Sequence, residues 1–373
     1  RLGINLYFWP SKSAMKDFTP ILYPHQSAPH QVTWQSPSNI ALVKYWGKYD
    51  PQLPANPSVS LTLDQCRTIT KVSCEPRPTD APGTFSFEFL LSGTPKPDFH
   101  PKIEGFFQRI LAYLPFLTQV HLRIDSENTF PHSSGIASSA SAMSALALCL
   151  LHIARGDEAV SDPSFFKQAS YLARLGSGSA CRSIWGPVVV WGETPSIPEA
   201  SQEYGWSSDR VHPVFADFQD TILLIDQGQK SVSSTVGHQL MVGHPFAEAR
   251  FKQAHKHLEQ MMEVLAQGDL GRFVDLVERE ALTLHALMMA SNPSFVLMKP
   301  ATLAVIEKIR AYRKATQHPV CFTLDAGANV HVLYPKSISK TVLQWIQDEL
   351  VVYCEKESYI CDSVGRGSSP ING

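Results

Sequence analysis

The chain has no Cys-x-x-Cys pair, no Gly-Lys-Ser/Thr phosphate loop and no excess of either charge, and each absence removes a class of function. Its seven cysteines are odd in number and scattered from Cys66 to Cys361. That argues against a disulfide framework and a zinc ribbon, and suits a protein kept in a reducing cytoplasm. Lys and Arg total 32 against 34 Asp and Glu, a net charge of −2, so no basic field is on offer to nucleic acid. Any anion bound here must be met by a few local donors. The longest apolar stretch, around Leu146 to Ala154, is too short to cross a bilayer, and the first residues lack a basic segment followed by an apolar one. The expectation is a cytoplasmic protein with neither a nucleic-acid nor a membrane partner.

What is present is enough for two ordinary cores: 373 residues, 44% of them hydrophobic. Residues 1–30 mix aromatics with prolines and read as a poorly ordered N-terminal extension. From Gln31 the pattern is regular. "ALVKYWGKYD" and "SVSLTLDQCRTITKVSC" are β-branched runs at strand spacing, with the proline-rich "PQLPANP" between them. Ile103, Phe106, Phe107, Ile110, Leu111 and Leu114 form a helical stripe. "VHLRIDSENTF" reads as a strand, "SAMSALALCLLHIAR" as a helix, and "DPSFFKQASYLARLGSGSACRSIW" as a helix followed by a Gly/Ser turn. Between about Thr194 and Asp217 the chain turns polar and proline-bearing, which places a boundary there. The division is 31–205 and 206–373. The second unit holds the strands "TILLID", "VCFTLDAG" and "VHVLYP" and several long helices, and "SVGRGSSP" reads as a mobile tail.

The segment "TFPHSSGIASSASA", Thr129 to Ala142, precedes an apolar helix with five serines, small residues and no formal charge. A helix N-terminus carries unpaired N–H groups and a partial positive charge, and small residues let a phosphate approach them. Ser134, Gly135, Ala137, Ser138, Ser139 and Ser141 are therefore candidates for cradling a polyphosphate, with Ser139 a possible Mg²⁺ contact. A serine N-cap followed by tight helix packing explains the same letters.

Three further segments carry candidate chemistry. In "KYWGK", Lys44 and Lys48 bracket a rigid turn from which Tyr45 and Lys48 can present a hydroxyl and an ammonium to one anion, although exposed lysines are usually only solvated. In "GSGSACR", Ser177 and Ser179 offer donors and Arg182 a planar fork suited to a carboxylate; an ordinary Gly/Ser turn is the plainer reading. Asp325 ends the strand "CFTL" before Ala-Gly, where an aspartate is more often a turn-former. His255 and His257, two apart on a helix, point away from each other and disfavour a shared metal; His285 on an apolar helix reads as a satisfied core histidine.

The serine-rich phrase resembles the Pro-x-x-x-Gly-Leu-x-Ser-Ser-Ala motif of the superfamily of galactokinase, homoserine kinase, mevalonate kinase and phosphomevalonate kinase (GHMP), with Ile136 in place of Leu. "SPSNIALVKYWGK", "GSGSACRS" and "TLDAGANVHVL" resemble the diphosphomevalonate decarboxylase family within it, in matching order and spacing from about Gln31 onward. The resemblance implies a GHMP-kinase-like α+β fold of two domains, with the active site in the cleft between them. The N-terminal, ATP-binding domain would be ribosomal-protein-S5-like α/β and the C-terminal domain an α+β sandwich. It further implies an enzyme of the mevalonate pathway that decarboxylates mevalonate 5-diphosphate with ATP and Mg²⁺, and it is compatible with a homodimer.

By the same resemblance Asp325 meets the substrate's tertiary hydroxyl, Lys44 influences its charge, and Arg182 holds the substrate carboxylate. Tyr45, Lys48, Ser177, Ser179 and Ser234 line the substrate pocket, Ser234 on the diphosphate. The sequence departs from the family at His132, at Ala328 where proline is common, and in "FEFLLSG", which lacks an arginine. A decarboxylase or 3-kinase acting on mevalonate or its 5-phosphate, or another small-molecule kinase of the superfamily, shares the same loop and aspartate.

Overall fold

The structure is a computed structural model that describes residues 18–22, 30–77, 84–131, 136–228 and 234–371, with the side chains of residues 234 and 235 outside that description. Its larger sheet has eight strands built around the 19-residue strand Ser58–Pro76. This strand pairs antiparallel with Gln31–Val43 on one side and with Val120–Asn128 and Val188–Trp191 on the other. Val120–Asn128 alternates buried residues with partly or fully exposed ones, the period-2 signature of a sheet covered on one face. Ser86–Leu91 runs parallel beside it. The first pairing shifts register between Pro37 and Asn39, which turns Asn39 toward the helices.

Three helices cover this sheet. α1 (His100–Ile110) buries Ile103, Phe106, Phe107 and Ile110, the first four members of the expected stripe. α2 (Ser138–Arg155) is apolar and long enough to cross a membrane by length and composition alone, yet 78% of it is buried inside the protein as the central core helix. α3 (Pro163–Gly176) starts with proline at its first turn and with Asp162 accepting the Ser164 N–H, a strong start signal. Phe18, in the stretch read from sequence as a loose extension, is buried against Tyr113 and Tyr171, and Ile21 N–H donates to Tyr113 O at 2.9 Å.

The second unit opens with strand Gln219–Leu223 and the short helix α4 (Ser234–Gln239). α5 (Ala247–Gln267), α6 (Leu270–Met289), α7 (Pro300–Thr316) and α8 (Ser339–Glu349) pack on a four-stranded antiparallel sheet. Its order is Cys321–Thr323, Val330–Tyr334, Gln219–Leu223, Tyr359–Ser363. The two units share one apolar cluster: Val59 and Leu61 of the long strand meet Phe218, Ile222, Leu258 and Phe273. Asp362 adds a polar tie, its carboxylate accepting the N–H groups of Asp64, Gln65 and Cys66 at 2.7–2.9 Å.

Two expectations need correction. "ALVKYWGKYD" is not one strand: strand structure stops at Val43 and resumes only as the two-residue Lys48–Tyr49 ladder with Leu53–Pro54. The "SVGRGSSP" segment is no mobile tail. Ser369–Pro370 pairs with Gln35 and Trp34, and Gly365 packs so closely on Leu63 that an added Cβ would sit 2.4 Å from its carbonyl oxygen. Glycine and serine there serve close backbone approach.

Candidate active site

A cavity of about 190 Å³ lies where the ends of Gln31–Val43, α2, α3 and the Asp325 turn converge. Lys44, Tyr45, Lys48, Ala137, Ser139, Ser177, Ser179, Arg182 and Asp325, nine of the residues singled out from sequence, line it together. Ser134 and Gly135 lie outside the described residues, as does the side chain of Ser234; the backbone of Ser234 begins α4.

Lys44 Nζ donates to Asp325 Oδ1 at 3.0 Å, and the lysine side chain is only 2% exposed. Burial pushes the Lys44 ammonium below its ordinary value and Arg182 adds to that, while Asp325 and Glu280 pull it back up. The Lys44 main chain is clamped as well: its N–H donates to Glu280 Oε2 at 2.9 Å, and its carbonyl accepts from Arg250 and Asn56. Arg250 forks onto Glu280 with two bonds of 2.7 Å, and His257 Nδ1 meets the same carboxylate at 2.5 Å. So His257 serves Glu280, while His255 turns to Thr194. Asp325 is held through its carbonyl, which accepts from His285 Nε2 at 3.1 Å and from the Gly327 N–H at 2.7 Å. His285 is the satisfied core histidine that its apolar setting implies.

Arg182 sits in a short 3-10 turn, Gly178–Ser183, and is 3% exposed. Its Nη1 donates to Ser58 Oγ at 2.6 Å and its Nε to Asn39 Oδ1 at 3.4 Å, and the Trp191 ring lies beneath it. Burial lowers its pKa, with Asp325 among the groups opposing the change. Asn39 also donates to Ser183 Oγ at 2.8 Å, so one strand residue fixes the turn and orients its cation. Gly178 is required by space: a Cβ there would lie 2.8 Å from Trp191 and 2.9 Å from the Tyr45 hydroxyl oxygen. That hydroxyl is buried without a partner among the described residues, and burial raises its pKa.

The helix start beside these groups is open. Ala137 is the N-cap of α2 in the left-handed conformation, φ 44°, and no side chain caps the first turn. The reading of a serine cap therefore does not hold. Ser139 Oγ lies 3.4 Å from Ser177 Oγ, joining the helix start to the Gly/Ser turn. Ser138 opens α2 half-buried, away from the cavity lining. Ser141, grouped with it from sequence, faces the sheet: it is fully buried and its hydroxyl is bonded to Thr68 Oγ1 at 2.6 Å and Ser138 O at 3.2 Å.

Several lining residues were not foreseen. Lys102, an exposed residue on the first turn of α1, lines the cavity with no ion-pair partner among the described residues. Nothing in its local sequence separates it from a solvated surface lysine. Asn39 was detectable as a lone amide in the apolar run "SNIALV". Gln52 accepts from Lys48 Nζ at 3.0 Å, and His238 from α4 stacks on Tyr45. Among the described residues no group of three His, Cys, Asp or Glu side chains could hold a metal ion, so the donor set suits a metal that arrives on phosphate oxygens.

The chain is similar to known proteins along most of its length. Residues 36–202 match the diphosphomevalonate decarboxylase-like N-terminal domain and residues 221–367 the mevalonate 5-diphosphate decarboxylase C-terminal domain. The diphosphomevalonate decarboxylase of Gibberella zeae is 30% identical over 324 residues, 82% of this chain and 81% of the relative. The mevalonate diphosphate decarboxylase structure from Staphylococcus aureus superposes with a TM-score of 0.78 at 28% identity, over 92% of this chain and 98% of that one. A structure of MDDEF in complex with MVAPP, AMPPCP and magnesium superposes with a TM-score of 0.77 at 28% identity, over 92% and 99%.

Proposed function

The chain belongs to the diphosphomevalonate decarboxylase family, and we propose that the residues lining its cleft carry out the ATP-dependent decarboxylation of mevalonate 5-diphosphate in the roles their geometry permits. The carrying observation is that one cavity holds the Lys44–Asp325 pair, the buried Arg182 fork and the open start of α2. A substrate with a hydroxyl, a carboxylate and a phosphate tail needs those three kinds of partner.

Asp325 takes the tertiary hydroxyl and accepts its proton as the oxygen attacks the γ-phosphate of ATP. Lys44, locked at 3.0 Å, keeps Asp325 ionised and oriented until then. Ala137, Ser139 and Lys102 meet the ATP phosphates, and Lys48, Tyr45 and the α4 segment meet the substrate diphosphate. Ser139 would help hold Mg²⁺, which would neutralise part of that charge. Phosphorylation makes a leaving group at a tertiary carbon. As phosphate departs with its bonding electrons, the carboxylate carbon leaves as CO₂, and the electrons of the broken C–C bond become the alkene of isopentenyl diphosphate. Arg182 binds the carboxylate throughout, and its permanent charge holds the group without giving it a proton.

Product analysis with ATP and each of mevalonate, its 5-phosphate and its 5-diphosphate tests this. Stoichiometric ADP, phosphate and CO₂ from the diphosphate is the expected result. Turnover of the 5-phosphate in its place, or phosphorylation without CO₂, would reject it.

A further inference from the structure

His238 belongs to no motif by which the site was recognised, yet it is 8% exposed and lines the cavity beside Lys48 and Arg182. Its ring lies between those of Tyr45 and Trp46, at centroid distances of 4.2 and 4.9 Å. α4 can come this close because Gly237 has no Cβ: one added there would fall 2.4 Å from the Trp46 ring. The Gly47 N–H donates to His238 Nδ1 at 3.0 Å. A backbone amide can only donate, so Nδ1 must be unprotonated and the ring proton must sit on Nε2. Burial, reinforced by the charges of Lys48 and Arg182, lowers the pKa to about 3, which keeps the ring neutral in that tautomer. Nε2 has no acceptor among the described residues, and the neighbouring lysine and arginine groups are donors themselves.

We propose that His238 is a substrate-positioning residue, a neutral imidazole whose Nδ1 fixes the Tyr45–Lys48 turn and whose Nε2–H donates to a phosphoryl oxygen of the diphosphate. This rests on the reading of the cleft as a mevalonate 5-diphosphate site. Such a donor differs from Lys48 in a useful way. It adds a directed hydrogen bond without adding charge, so it helps count phosphate oxygens where a cation only senses their sum.

Two variants separate the two nitrogens. Asn at 238 keeps an acceptor near the Nδ1 position and removes the distal donor; Gln keeps a distal N–H and removes the proximal acceptor. His238→Asn should raise KM for mevalonate 5-diphosphate about tenfold while KM for ATP changes less than twofold, and His238→Gln should recover part of the loss. Equal changes in both KM values, or none, would overturn the proposal. A binding readout needs no turnover: in ring-¹⁵N-labelled wild-type enzyme, inorganic pyrophosphate should shift the protonated Nε2 resonance that is missing from His238→Asn. An unmoved resonance, or a proton found on Nδ1, overturns the proposal even if the decarboxylase reaction is confirmed. A shifted resonance in an enzyme that does not turn over the diphosphate keeps the donor and rejects the reaction.

Discussion

Glu280 holds Lys44 by the main chain and not by the ammonium: its Oε2 accepts the Lys44 N–H at 2.9 Å while Lys44 Nζ reaches Asp325 at 3.0 Å. The carboxylate is fully buried and carries Arg250 and His257 besides. A residue outside the cavity lining therefore sets where the lysine starts.

Replacing Glu280 with Gln removes the counter-charge of a buried arginine. Leaving one partner of such a pair uncompensated costs on the order of 3–5 kcal/mol, so Glu280→Gln should lose that much in denaturant unfolding. A loss below about 1 kcal/mol would mean that the network is incidental.

The same residue shapes acid stability. Burial pushes the Glu280 carboxyl up, but Arg250, with hydrogen bonds from His257, Arg250 and the Lys44 N–H, brings it down to about 2 from 4.5. A depressed folded pKa stabilises above the unfolded value and loses that contribution as pH falls through the folded one. Stability should therefore decline between about pH 4.5 and pH 2, and the slope in that window should be shallower in Glu280→Gln. Parallel wild-type and variant curves in urea would refute the assignment.

Asp325→Asn keeps the size of the side chain and removes the proton acceptor. Turnover should fall by about 10²–10⁴ with both dissociation constants little changed, and phosphate and CO₂ release should fall together. Continued ATP hydrolysis without CO₂ would move Asp325 to the second step.

Lys48→Ala should weaken mevalonate 5-diphosphate far more than ATP, by roughly 1.5–3 kcal/mol for a charge-assisted hydrogen bond. Isothermal titration with each ligand decides it. Equal weakening would place Lys48 elsewhere.

Ser139→Leu should raise the ATP concentration needed for half-maximal rate, because the bulky side chain stands where small residues expose the start of α2. Its circular dichroism melt should stay near wild type, since Ser139 is only half-buried. An unchanged ATP requirement would leave the residue with a packing role.

Much of this was legible because local letters had local causes. The α1 stripe, Asp162-Pro163 before α3, and glycines at the Arg182 turn each state a backbone requirement. The charged partners of Lys44 were less so. Asp325 lies 281 residues from it, and Glu280 and Arg250 sit on helices whose patterns look like any amphipathic surface until the core closes. His238 was hidden for a similar reason. Only the contact between α4 and the Gly47 turn gives it a tautomer, and α4 itself is too short for periodicity to show. "SVGRGSSP" misled because glycine and serine mark both loose loops and tight backbone contacts.

That returning segment ties the timing of assembly to the chemistry. Ser368 donates through its N–H to Ile184 O at 3.0 Å and through its hydroxyl to Ser183 O at 2.8 Å, directly beside Arg182, and its hydroxyl also meets Ser36 of the first long strand at 2.7 Å. A nascent chain released only as far as residue 360 has every lining residue of the cleft but lacks the brace behind its arginine. The N-terminal sheet is thus finished from the far end of the sequence, and the turn that carries Arg182 gains its brace only when the last residues of the second unit are in place.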